Sequence, residues 1–377
     1  MSLSLPADPP AARSLTDVLP QSLAALEGRS TWFPRVRSAI VIVIDGLGRQ
    51  NLTSRAGHAR FLSGRMTRAD ALRTVFPSTT ATALTGLLTG RSAGEHGIVG
   101  YRARVPGSDR VPNQLKGWET DGLDPLTWQR CDPLTETEAA RGRPFFVVSK
   151  EMYARTGFTR AVQRGATFVG AETVEDRLRR AARLATDHDG AMVYVYAPEL
   201  DTIGHSLGWE SDRWTVALEH LDRAVADLDA TLPADVGGLL TADHGMVDVP
   251  AHRQILLTGG DEVLDGVALI GGEPRMLHLY AGAGAASDVA ERWRAREGGR
   301  SWVITRDEAV DAGLFGAVVD STVLPRIGDV LVAARSAVAY YDDRLADKKP
   351  QRMIGQHGSL TDQERIVPLV RLGGFAR

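Results

Sequence analysis

The chain has 377 residues, enough for one large domain or a large domain carrying a smaller insertion, and enough to bury a core without disulfides or structural metal. A formal net charge of −3 with 24% charged residues excludes a protein whose main work is gripping a nucleic acid backbone. The one cysteine, Cys131, excludes an internal disulfide and a cysteine-rich metal site, and no apolar run is long enough for a membrane span.

Residues 1–30 contain no basic stretch leading into an apolar run, so they read as a peripheral arm and not as a secretion signal, which implies a cytoplasmic protein. The run SAIVIVID follows and ends at Asp45. Next, RTVFPSTTATALTGLLTG places a hydroxyl cluster between a strand-like LRTVF and a helix-like stretch. Residues 101–144, rich in Gly, Pro, Arg, Asp and Trp, carry little periodicity; a loop this long in an enzyme commonly forms a wall or lid of the site. Residues 172–185 have approximate helical spacing, AMVYVYAPELD is a second buried-strand pattern ending at Asp201, and residues 209–232 carry an apolar stripe of Leu218, Leu221, Val225 and Leu228. GGLLTADHG ends at Asp243 and His244. Residues 253–338 mix strand and helix signals and read as a smaller α+β subdomain inserted before His357. Short Val- and Ile-rich runs alternating with helices predict an α/β fold with a mostly parallel central sheet, whose ligands lie beyond the carboxyl ends of the strands.

Those strand ends are where the chemistry gathers. A divalent ion of the zinc type takes about four N or O donors, and two ions roughly 3.5–4 Å apart can clamp both oxygens of an in-line displacement. Asp201 and His205, four residues apart, can reach one ion; Asp243 and His244 can splay into a shared site; Asp45 closes the first strand; His357 lies between Gly355 and Gly358. Each has a simpler reading, since an Asp after a strand is often a helix cap and a lone His a hydrogen-bonded structural residue. The hydroxyls Ser78, Thr79, Thr80 and Thr82 sit near a helix N-terminus, which favours an anion such as phosphate, although capping alone would also explain them. Spacing does not choose among the four.

VIVIDGLG, FPSTTATALTGLLTGRSAGEHGI, ELDTIGHSLG, TADHGM and GQHGSL together resemble the alkaline phosphatase superfamily, and more closely its nucleotide pyrophosphatase/phosphodiesterase-like branch. Pro77, Thr80, Gly90 and His96 keep the intervals of that branch's nucleophile motif, and the resemblance selects Thr80 as nucleophile. It implies a three-layer α/β/α fold in which residues 31–377 form the catalytic domain. It assigns Asp201, His205 and His357 to one divalent ion, and Asp45, Asp243, His244 and the Thr80 oxygen to a second. The implied ions are zinc, with manganese or iron as alternatives. His96 has no ligand role in this match and is expected to make a structural hydrogen bond.

Two departures stand out. The branch's base-stacking Phe is Ala81 here, and its Asn that donates to a phosphoryl oxygen is Ala83; Asn113 and Lys116 in the long loop are candidates to contact substrate instead. The implied activity is hydrolysis of a phosphodiester or nucleotide pyrophosphate bond through a phosphothreonine. The alternatives are a phosphomonoesterase, a phosphonoacetate-type phosphonate hydrolase, or an inactive metal-binding protein. The expected partner is a small phosphoester, with neither nucleic acid nor membrane; oligomeric partners are left open. Cys131 in QRCDPLT lacks the sequence context of a sulfatase nucleophile.

Overall fold

The computed structural model describes residues 5–6, 8–9, 12–67 and 69–376. Its centre is a six-stranded sheet of β1 (Ser38–Ile44), β2 (Phe145–Ser149), β3 (Thr167–Gly170), β4 (Met192–Ala197), β5 (Val236–Thr241) and β10 (Val370–Gly373), in the order β10-β5-β1-β4-β2-β3. All neighbours run parallel except β10, which pairs antiparallel with β5. Every residue of β1 and β5 is buried, so both faces of the sheet must be covered, and the unbroken apolar runs follow from that. The result is a mixed α/β fold in three layers.

The covering helices show the expected stripes. α1 (Val18–Leu26) buries Val18, Leu19 and Leu23 in the main core, so the first 30 residues contribute packing as well as surface. α3 (Val174–Asp187) and α5 (Asp212–Thr231) pack on each other, α5 burying Trp214, Leu218, Leu221, Val225 and Leu228. The described residues contain no helix long and apolar enough to cross a membrane.

A second, antiparallel sheet is built from β6 (Val267–Glu273), β7 (Met276–Ala281), β8 (Ser301–Thr305) and β9 (Val330–Ala334), in the order β8-β9-β7-β6. Helix α6 (Ala286–Glu297) packs on it, and Leu277, Leu279, Val289, Trp293 and Val332 form its own core. The chain then returns to the main sheet. Gly355–Gln356 pairs antiparallel with Val247–Asp248, and a bridge joins Ser78 to Gly358. These two links carry His357 to the carboxyl end of the parallel strands.

Candidate metal centre

β1 lies between β4 and β5, in parallel register with both, so the residues that follow these three strands emerge side by side. Asp45 follows β1 directly; Asp201 and His205 lie on α4 (Glu199–Leu207), which starts two residues after β4; Asp243 and His244 follow β5. Gly46 turns the chain at φ +74°, and a Cβ there would meet Asp201 at 3.2 Å, so the bare glycine lets two carboxylate-bearing segments approach.

The six side chains come together in two overlapping sets. Asp201 Oδ1 is 3.3 Å from His205 Nε2 and 3.9 Å from His357 Nε2, and the two imidazole nitrogens are 3.3 Å apart. In the second set, His244 Nε2 lies 3.3 Å from Asp45 Oδ1, 3.6 Å from Asp243 Oδ2 and 3.2 Å from Thr80 Oγ1. The His244 and His357 rings stack at 3.6 Å between centroids and join the sets. Asp201, His244 and His357 on one side, and Asp45, Asp243 and His244 on the other, have donor atoms close enough to hold an ion.

Hydrogen bonding shows which atoms are left for a ligand. The Nδ1 atoms of His205, His244 and His357 face the carbonyl oxygens of Gly355, Gly245 and Ser78 at 2.7, 3.1 and 3.0 Å. A carbonyl only accepts, so each Nδ1 carries a proton and each ring turns its Nε2 to the centre. Asp243 Oδ1 accepts the N–H groups of Gly46 and His244, and Asp45 Oδ2 accepts the hydroxyl of Tyr196. The other oxygens, Asp45 Oδ1, Asp201 Oδ1 and Asp243 Oδ2, are buried without a hydrogen-bond partner. Among the described residues no Lys or Arg pairs with these carboxylates; histidines are their ionic neighbours.

Carboxylates and imidazoles crowded together in a buried site repel their own kind, and the ionisation behaviour reflects it. Burial, then the charges of Asp201 and Asp243, hold the Asp45 carboxyl well above its ordinary range, and burial raises Asp243. Burial, then His244 and His205, push His357 well below the usual imidazole value. Divalent cations relieve all of these conflicts together, and the N and O donor set suits zinc-type ions. The residues fit the metals.

Thr80 opens α2 (Thr80–Thr89) and is the hydroxyl of its cluster that reaches the centre. Ser78 is occupied, donating its hydroxyl to Ser359 O at 2.7 Å. Beside Thr80 lies a cavity of about 280 Å³ walled by Leu84, Leu115, Lys116, Phe158 and Tyr196. Lys116 is a wall residue of this cavity; Asn113 is not among its wall residues. The Asn113 amide oxygen accepts the N–H groups of Leu115 and Lys116 and closes the turn that presents Lys116. Ala81 and Ala83 are fully buried in the main core. His96 accepts the Ile98 N–H at Nδ1, 3.1 Å, as a structural residue would. Sequence reasoning missed Tyr196, which reads only as one more buried aromatic in a strand.

The family model described as "Type I phosphodiesterase / nucleotide pyrophosphatase" matches residues 39–360. No curated protein sequence matches the chain. Among solved structures, murine ectonucleotide pyrophosphatase / phosphodiesterase 5 is similar with 17% identity and a TM-score of 0.65, covering 88% of this chain and 87% of that one. An inactive threonine-to-alanine form of the murine protein, in complex with AMP, gives 18% and 0.66, over 90% and 88%. Phosphonoacetate hydrolase from Sinorhizobium meliloti 1021, in complex with phosphonoacetate, gives 17% and 0.66, over 90% and 91%. At these identities the structural likeness establishes the fold.

Proposed function

This chain belongs to the type I phosphodiesterase / nucleotide pyrophosphatase family, phosphoric ester hydrolases of the alkaline phosphatase superfamily, and we propose that it cleaves a phosphodiester or nucleotide pyrophosphate bond through a phosphothreonine at Thr80. The observation that carries this reading is the position of Thr80 Oγ1, 3.2 Å from His244 Nε2 at the rim of the six-residue cluster. Asp201, His205 and His357 would hold one cation; Asp45, Asp243 and His244, with the Thr80 oxygen, would hold the other. Bound there, zinc-type ions supply Lewis acidity, lowering the pKa of hydroxyl groups and neutralising charge on phosphoryl oxygens.

Thr80 Oγ attacks phosphorus, forming an Oγ–P bond as the P–O bond to the leaving group breaks; the hydroxyl proton passes to solvent. A water then attacks the same phosphorus, the Oγ–P bond breaks, and Thr80 recovers its proton. The net reaction is addition of one water across the ester. The N-terminal turn of α2 offers backbone N–H groups to the phosphoryl oxygens, which fits the absence of an amide side chain at Ala83. The apolar walls of the neighbouring cavity suit an organic substituent on phosphorus.

Lys116 supports a second reading. As a cationic wall residue of the cavity it would also suit the carboxylate of a phosphonoacetate-type substrate. A substrate panel separates the readings: bis(p-nitrophenyl) phosphate, p-nitrophenyl phosphate, a dinucleotide and phosphonoacetate, each with zinc or manganese and with chelator. Diester turnover above monoester by about tenfold or more, some 1.4 kcal/mol in barrier, and abolished by chelator, is the expected result. Monoester preference of that size would overturn it, and turnover confined to phosphonoacetate would establish the second reading.

A further inference from the structure

Tyr196 sits near the carboxyl end of β4, five residues before Asp201, and is held from two sides. Its hydroxyl donates to Asp45 Oδ2, while its ring forms part of the wall of the Thr80 cavity and lies 6.1 Å from the ring of Tyr153, another wall residue. A hydrogen bond to one oxygen restrains the rotation of a carboxylate, so the Tyr196 bond biases the direction of Asp45 Oδ1. That second oxygen is the one left without a partner, 3.3 Å from His244 Nε2. The Asp45 N–H is tied in the same region to Ala197 O at 3.0 Å, so backbone and side chain of Asp45 are both referenced to the end of β4.

We propose that Tyr196 is a positioning residue, which aims the Asp45 carboxylate at the cation shared with Asp243, His244 and Thr80. It touches neither that cation nor the reacting atoms; it acts through Asp45. Outer partners of this kind set the affinity of a metal site, and their removal costs about 10–100-fold in binding. The inference rests on the two-cation reading above, and its test distinguishes the two.

The test is cation affinity, measured on the full chain by competition with a chromogenic chelator, for wild type, Tyr196→Phe and Tyr153→Phe. Tyr196→Phe keeps the ring and loses the hydroxyl. It should bind one of two cations about 10–100-fold more weakly, keep the other at wild-type affinity, and recover turnover with KM near wild type when metal is in excess. Tyr153→Phe, in the same wall but bonded to no carboxylate, should bind both cations as wild type does. Melting of the metal-free proteins checks that both variants fold. If Tyr196→Phe does not fold, Tyr196→Phe is read in an Asp45→Asn background, where the hydroxyl should cause no further loss of affinity. Unchanged affinity in Tyr196→Phe, or a full further loss in the double variant, would overturn the positioning role alone. A wild-type chain that binds no cation would overturn the two-cation reading and this inference with it.

Discussion

The segment carrying His357 is gripped between two buried charged clusters, and they are built in contrasting ways. On one side Arg275 and Glu364, both fully buried, meet through two bonds of 2.7 and 2.8 Å. Arg275 also donates to Ser336 O and Val338 O at 2.9 Å each, and Glu364 Oε1 accepts the Ser359 N–H at 3.0 Å. On the other side Asp45, Asp201 and Asp243 each keep a buried oxygen with no hydrogen-bond partner, close to the Nε2 atoms of His205, His244 and His357. Paired charges with their hydrogen bonds satisfied make scaffold. Like charges gathered without partners make a receptor for cations, at a cost to the stability of the metal-free fold.

The sharpest break in that comparison should come from Thr80→Ala. Turnover should fall by about 10⁴-fold or more, while metal analysis still finds about two ions per chain, because six of the seven proposed donors remain. An enzyme that keeps turning over without this hydroxyl would remove the nucleophile assignment. Next in size, Arg275→Met leaves Glu364 buried without its counter-ion and should lower unfolding free energy by about 3–5 kcal/mol in denaturant titrations. Asp243→Asn, in chelator-treated protein, should leave stability unchanged or raise it, since it removes a like charge. If both variants destabilise the metal-free chain equally, the two clusters do not differ as described.

Glu273 offers the finest test, because it lies between the clusters. Burial, with the Glu364 charge adding to it, raises its carboxyl from 4.5 to about 8. A carboxyl whose folded pKa is raised lends stability that is complete below the unfolded value and is lost as pH rises through the folded one. Melting temperature should therefore decline as pH rises from about 4.5 to about 8 and level off above that, and Glu273→Gln should flatten that decline. A wild-type profile already flat across this window would contradict the assignment.

How much of this was written legibly in the chain depends on how local the signal is. Three of the parallel strands, β1, β4 and β5, were readable because a strand buried on both faces is an unbroken apolar run, and the switch to Asp45, Asp201 or Asp243 marks the ligand side of the sheet. Choosing Thr80 from four hydroxyls needed family resemblance, since all four share one turn; geometry separates them through contacts such as Ser78 to Ser359 that local spacing cannot encode. Arg275 and Glu364 stand 89 positions apart, and Tyr196 and Asp45 stand 151 apart, so neither pairing leaves a local pattern. Asn113 shows the opposite case, a purely local contact: its amide oxygen accepts N–H groups two and three residues on, in its own turn.

Anomalous X-ray scattering from zinc-soaked crystals of the Thr80→Ala chain would test the central claim most directly. Two peaks should appear, one bounded by Asp201, His205 and His357 and the other by Asp45, Asp243 and His244. An anomalous map with no peak among those side chains, in crystals holding zinc elsewhere, would contradict it.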